Sequence, residues 1–410
     1  MVLSLETVFN DLISQLWFEL TFLLVVSLFA GFLFSRFGQP KIIGFIIVGV
    51  VIGPSALNII KLEGTTGAEA AGLPEEVKML ASLGAIVLLF MIGLECDLKE
   101  IYTRRSIMIA LGGVILPWIA GYLLANAFGY SDAESIFIGA TLVATSVAVT
   151  AGVTSELGLM GTPVAYAIIG AAVVDDVMGM VVLGISKGLS GNTLDPTMLT
   201  MLVIGAVIFV VGGAWIGSRY LTKLVLSVQV SGHRRKLPMS GFVLAMSIAF
   251  MYAFIAEMIQ ISAIVGAFVA GTAFSSSVLR DGLRKGMHYL EALFVPIFFV
   301  SLGLAVDLSD IWSILIFASV LTVVALLSKF IGCGLPARST GMSWWDAASV
   351  GIGMTPRLEI ALIIAYYGLE SEIIDGGIYT AVVFMGLVTA LVATPLLKAT
   401  LARGGHKLLT

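Results

Sequence analysis

Long apolar runs alternate with short polar punctuation from one end of the chain to the other. Runs of roughly 20 apolar residues recur, the length a helix needs to cross a hydrocarbon core about 30 Å thick. The pattern predicts 13 spans, near residues 16–37, 41–60, 78–97, 106–128, 133–156, 163–188, 196–221, 237–257, 260–276, 286–305, 311–335, 345–367 and 374–401. A bilayer core offers no water to satisfy backbone groups, so the spans are expected to be helices of an all-α polytopic membrane protein. The longest polar stretch, near 61–77, is too short for a separate domain. The whole of 1–410 therefore reads as one transmembrane unit with no soluble regulatory domain.

Composition agrees with this picture. Of the 410 residues, 59% are hydrophobic and 12% charged, about half the charged share of a soluble domain. The 45 glycines suit close helix–helix packing. Cys96 and Cys333 lie on different segments and suggest reduced thiols, not a disulfide framework. His233, His288 and His406 fall in loops or the tail without metal-ligand spacing. Neither a cofactor nor a nucleic-acid partner is expected. Outside the spans, nearly every Lys and Arg lies on one side, in segments such as "LKEIYTRR", "SRYLTKLVLSVQVSGHRRK" and "LRDGLRK"; the other side keeps only Lys61, Lys78 and Lys187. The excess of basic loops on one side places the N-terminus outside and the C-terminus in the cytoplasm, across a plasma membrane.

The two halves resemble each other. "LLFMIGLECDL" at 88–98 aligns with "FFVSLGLAVDL" at 298–308, matching Gly93, Leu94, Asp97 and Leu98 to Gly303, Leu304, Asp307 and Leu308. The same offset sets Thr145 on Thr355, and a nearby one sets "IVGVVIG" on "IVGAFVAG". The shift is an odd number of spans, so the copies are expected to have inverted topology, as in secondary transporters with a binding site near the midplane. Within the fifth span, Thr145, Ser146, Thr150, Gly152, Thr154 and Ser155 interrupt the apolar run; within the twelfth, Gly351, Gly353, Thr355 and Pro356 cluster. Interruptions at equivalent places predict two discontinuous crossing helices.

The charges inside the spans carry the chemistry. In "AAVVDDVMGM", Asp175 and Asp176 sit side by side in an apolar run. Asp176 follows Pro163 by 13 residues, about 20 Å along a helix and past the middle of the core. Buried acids there normally face a cavity or a partner. Consecutive side chains turn about 100° apart, so the two can share one cavity without touching. Such a carboxylate can hold a proton or a metal cation, and that exclusivity is the basis of exchange. Lys329 is the natural countercharge for one aspartate, leaving the other for the cation. Arg357 and Glu359, beside the break in "TPRLEIAL", need partners, either each other or Glu156, and suggest a structural role at the crossing.

Together, "ATSVAVTAGVTSELG", "AAVVDDVMGMVVL", "SKFIGCGLPAR" and "GIGMTPRLEIALIIA" resemble the second branch of the monovalent cation:proton antiporters, in particular prokaryotic Na⁺/H⁺ antiporters with an aspartate pair. The resemblance runs along essentially the whole chain. It implies 13 helices, with transport helices about 78–188 and 286–401 moving against dimerisation helices about 16–60 and 196–276, in a homodimer. By motif, Asp176 resembles the ion-binding aspartate for Na⁺, with Asp175 and Thr145 as possible further ligands. Asp175 resembles the partner acid of electrogenic members, Lys329 the lysine that pairs with it, and Thr145 and Ser146 the unwound segment beside the site. Leu358 stands where the family usually has glycine. The expected function is exchange of Na⁺ or Li⁺ for H⁺, serving pH homeostasis. A K⁺/H⁺ antiporter on the same fold is the nearest alternative. A channel is disfavoured by the lack of a continuous polar pore, and an intramembrane aspartyl protease by two acids adjacent on one helix.

Overall fold

The computed structural model describes residues 16–37, 39–53, 56–57, 59, 75–96, 103–191, 196–259, 261–304 and 311–406. Every regular element among them is a helix: α1 (Leu16–Arg36), α2 (Lys41–Ile52), α3 (Glu75–Glu95), α4 (Arg104–Ala127), α5 (Asp132–Thr141), α6 (Val147–Glu156), α7 (Pro163–Gly191), α8 (Pro196–Val207), α9 (Gly213–Ile216), α10 (Thr222–Arg234), α11 (Ser240–Met258), α12 (Ala263–Phe274), α13 (Arg280–Leu304), α14 (Ile311–Ser339), α15 (Trp344–Gly353), α16 (Glu359–Glu370) and α17 (Gly376–Arg403). Among the described residues, 9 helices are long and apolar enough to cross a membrane. The four other predicted positions hold shorter pieces. α2 and α12 have 12 residues each, about 18 Å of helix. The remaining two are interrupted, α5/α6 at residues 142–146 and α15/α16 at 354–358.

One predicted loop is helical. Two π-turns, Ile208–Gly212 and Gly217–Leu221, carry the chain without a stop from α8 through α10. The basic stretch after residue 221 therefore extends the helix, with Val225 fully buried beneath it. Gln229 accepts from the Gly241 N–H at 2.8 Å and donates to the Pro238 carbonyl at 2.8 Å, closing the turn into α11. Charge patterning located the end of the apolar run, and an amphipathic helix continues past such a point.

Glycines set the helix spacing. A Cβ at Gly93 of α3 would lie 2.4 Å from the Phe268 carbonyl oxygen of α12, and one at Gly271 would lie 2.2 Å from the Phe90 oxygen. The repeat-matched Gly303 of α13 meets α2 the same way: its Cβ would lie 2.2 Å from the Ile46 oxygen, and one at Gly49 would lie 2.2 Å from the Val300 oxygen. Asp97, Leu98, Asp307 and Leu308, the rest of that match, lie outside the described residues.

These contacts divide the helices. α3 packs chiefly on α12 and α13, and α13 also on α2, while α4 packs on α14, α5 and α7, and α14 on α15 and α17. α3 and α13, which cover the predicted spans 78–97 and 286–305, thus belong by packing with α1, α2 and α8–α12. α6 touches both sets, packing on α7 and on α3.

Candidate functional site

Both interrupted helices begin with a serine cap. Ser131 and Glu134 form a capping box at α5, and Ser343 accepts from the Asp346 N–H at 3.0 Å at α15. Each helix then stops mid-protein, leaving carbonyl groups with no helical partner. The site is built from what satisfies them.

The two breaks bind each other. The Ser146 N–H donates to the Pro356 carbonyl at 2.8 Å. The Thr145 hydroxyl donates to the Met354 carbonyl at 3.0 Å, and the Thr150 hydroxyl to the Gly353 carbonyl at 2.9 Å. Ser146 caps α6 by accepting from the Val149 N–H. The end of α5 meets two cations. Arg357 donates through Nε to the Leu142 carbonyl at 2.9 Å, and Lys329 donates to the Val143 carbonyl. Cations there oppose the negative end of the helix dipole.

Lys329 and Asp175 are both fully buried and form an ion pair, with Nζ 2.8 Å from Oδ1. Nζ also donates to the Gly113 carbonyl of α4 at 2.9 Å. Gly113, Val143 and Asp175 thus account for the three N–H donors of the ammonium. Asp175 in turn accepts from the Thr145 N–H at 2.8 Å, just before the start of α6. Helix α14 runs to Ser339, far enough that Lys329 reaches the depth of Asp175.

Asp176 is buried next to it on α7. Gly179 and Met180, its i+3 and i+4 neighbours, show which way this face points. The Gly179 Cβ position lies 3.6 Å from Ala144 and 3.5 Å from Ile360. Met180 and Ile360 line a cavity of about 720 Å³ that reaches Lys78, Glu257 and Ser262. A second, polar cavity of about 620 Å³ meets α7 at Tyr166, with Glu95, Cys96, Ser155, Arg280 and Arg284 around it.

Other predicted residues are placed differently. Thr355 turns back on its own helix, donating to the Ile352 carbonyl at 2.7 Å, and the Arg357 Nη1 donates to the Thr355 carbonyl at 3.1 Å. Arg357 is fully buried at the crossing, and its N–H donates to the Thr389 hydroxyl. Glu156 does not join it. This carboxylate lies at the far end of α6 and accepts from the Lys41 and Ile42 N–H groups of α2. Of the two partners expected for Arg357, Glu156 is thereby excluded; the side-chain acceptors described for Arg357 are the carbonyls of Leu142 and Thr355 at the breaks. Glu359 opens α16, and its side chain lies outside the described residues. Leu358 has φ −145° and ψ −82°, so the break does not use the positive φ that favours glycine. Gly113, Leu142 and Val143 escaped sequence reasoning because they act through carbonyl oxygens that every residue carries. Cys96 and Cys333 are both buried free thiols.

The pattern of the family described as "Sodium/hydrogen exchanger, transmembrane" matches residues 23–403. The chain belongs to that family. It is a family of membrane ion transporters and not of enzymes. This exchanger is 35% identical to the Na(+)/H(+)-K(+) antiporter GerN of Bacillus cereus, over 94% of this chain and 96% of that protein. It is 31% identical to a Na(+)/H(+) antiporter of Enterococcus hirae, over 92% of this chain and 96% of the relative. Its fold is similar to that of the sodium proton antiporter MjNhaP1 from Methanocaldococcus jannaschii, with TM-score 0.68 and 17% identity over 98% of this chain and 97% of that one. The exchanger is accordingly an all-α, multi-pass membrane protein with an NhaP1-like fold.

Proposed function

We propose that this exchanger is an electrogenic secondary antiporter of the aspartate-pair branch, moving Na⁺ or Li⁺ against H⁺ across a bacterial plasma membrane. Alternating access is the mechanism. The observation that carries the reading is the division of labour at Asp175 and Asp176. Asp175 is held by Lys329 and the Thr145 N–H, while the face of α7 bearing Asp176 turns toward the break and a cavity. Asp176 is then the exchangeable site, with Thr145 and Asp175 as the proposed further oxygen donors for a hard cation.

Charge bookkeeping explains the coupling. Ionised Asp175 and Asp176 balance Lys329 and Arg357. Either a proton or a sodium ion on Asp176 raises the cluster by the same single charge, so the two loaded forms are electrostatically alike and exclude each other. Proton release from Lys329 when Asp175 takes a new partner would make the exchange unequal in charge. Such a cycle draws on the membrane potential, about 2.3 kcal/mol per charge per 100 mV.

The transport unit comprises α4–α7 and α14–α17, and the scaffold α1–α3 and α8–α13, which dimerises. The paired contacts at Gly93/Gly271 and Gly303/Gly49 support 13 membrane segments arranged as inverted repeats. The basic face is cytoplasmic, with the N-terminus outside. The name of the Bacillus cereus relative includes K⁺, and it favours K⁺ as a second cargo. Flux into proteoliposomes tests the reading: Asp176→Asn is expected to abolish Na⁺-driven proton movement, and undiminished movement refutes it.

A further inference from the structure

α4 carries a buried proline in its interior, Pro117. Proline has no N–H, so the carbonyl four residues earlier loses its helical donor, and the proline ring crowds that carbonyl out of line. Four residues before Pro117 stands Gly113. Its carbonyl is the one that accepts from the Lys329 Nζ at 2.9 Å. Gly113 bears no mark of its own in the sequence; the proline one turn further along marks it.

α14 reaches this carbonyl because α4 has no side chains there. A Cβ at Gly112 would lie 2.1 Å from the Gly332 carbonyl oxygen, and one at Gly113 would lie 2.4 Å from the Cys333 Sγ and 3.3 Å from the Lys329 Nζ. The other two acceptors of the ammonium have different origins. The Val143 carbonyl is freed by the break after α5, and Asp175 is a charge on α7. Three acceptors use every N–H of the ammonium, whereas a neutral amine has two N–H groups and would leave one acceptor unmet. Among the described side chains, the other titratable and charged groups around Lys329 are Asp176 beside Asp175, Arg357 at the crossing and Cys333 one turn along α14. The helices packed on α14 carry theirs near their ends: Arg104 and Arg105 on α4, Asp346 on α15 with His406 against it, and Lys398 and Arg403 on α17.

We propose, resting on the reading above in which Lys329 takes part in the transport cycle, that Pro117 is a positioning residue for Lys329: by withholding an N–H from α4 it reserves the Gly113 carbonyl for the ammonium. Pro117→Ala supplies the missing N–H. In an ordinary helix interior that exchange stabilises, since alanine is the better helix former. Here the gain in α4 is opposed by the loss at Lys329. Thermal unfolding of the full chain in detergent separates the two. Pro117→Ala is expected to raise the unfolding temperature more in a background of Lys329→Met with Asp175→Asn, where both charges are gone, than in the native one. Equal shifts in the two backgrounds mean that the proline only shapes α4, and they overturn the proposal. In proteoliposomes, the alkaline limit of Na⁺-driven proton movement is expected to fall by about one pH unit in Pro117→Ala, the effect of weakening one charge-assisted hydrogen bond. Pro395→Ala is the control: this proline of α17 is exposed, and the Leu391 carbonyl one turn before it receives no side-chain donor among the described residues. An unmoved profile in Pro117→Ala, or an equal shift in Pro395→Ala, overturns the proposal. If Pro117→Ala does not fold, the same profile is read in Pro117→Gly, which also restores the N–H. The unfolding comparison needs no transport, so failure of the antiport reading shows separately, as absence of cation-driven proton flux in the unsubstituted protein.

Discussion

Lys329 and Asp175 sit wholly inside the protein, where an ion pair survives only if each remaining donor and acceptor is used. Here the carbonyls of Gly113 and Val143 and the N–H of Thr145 complete it. Removing one member strands a buried charge, at a cost of about 3–5 kcal/mol. Lys329→Met and Asp175→Asn are therefore each expected to lower the unfolding temperature in detergent sharply. The double variant should recover much of the loss, because both charges leave together. Thermal unfolding of the four proteins measures the coupling, and strictly additive losses would contradict the pairing. Thr145 presents a milder case. Thr145→Val keeps the N–H to Asp175 but loses the hydroxyl donated to Met354, and should cost about 1–3 kcal/mol by leaving that carbonyl unsatisfied.

Between helices, spacing is set by backbone against backbone. At Gly93 and Gly303 an added methyl group would lie 2.4 and 2.2 Å from a carbonyl oxygen on the neighbouring helix, well inside contact distance. The obstacle is main chain and cannot swing aside, so Gly93→Ala or Gly303→Ala must part the helices. Overpacking of this kind costs typically about 1–3 kcal/mol. A lowered unfolding temperature for each variant, with Gly205→Ala (open space in the structure) unchanged or raised, is the expected pattern. The π-turns of α8–α10 follow the same logic of satisfied carbonyls. The Tyr252 hydroxyl donates to the Gly213 carbonyl at 2.7 Å, between the two turns, where a widened helix loosens its own ladder.

For the whole molecule, the predictions concern charge and cargo. Reconstituted protein on a solid-supported membrane is expected to give transient currents on a Na⁺ jump, reversing in sign with the gradient. Comparing Na⁺ with K⁺ at several pH values reports selectivity in the same assay. Electroneutral exchange would remove Lys329 from the charge-moving cycle while leaving its pairing intact. Light scattering in detergent should show two copies per particle if the scaffold dimerises, and a monomer would leave the moving unit without the proposed fixed partner.

Much of this was legible along the chain. Apolar run length, the glycine and proline clusters at 351–356, and acids where lipid allows none are local signals, because a bilayer penalises each exposed polar group individually. Those signals located the interrupted helices, the aspartate pair and its lysine. Tertiary structure decided the rest. Which acceptors hold Arg357 and Lys329 depends on carbonyls, which carry no residue identity. Glu156 was read with the crossing because it lies on the same span as Thr145, yet its partner is a helix start 115 residues away. Which helices pack most closely turned on which glycine faces met. Burial of a charge can be read from its neighbours in the chain, whereas its partner is chosen by packing between segments far apart in it.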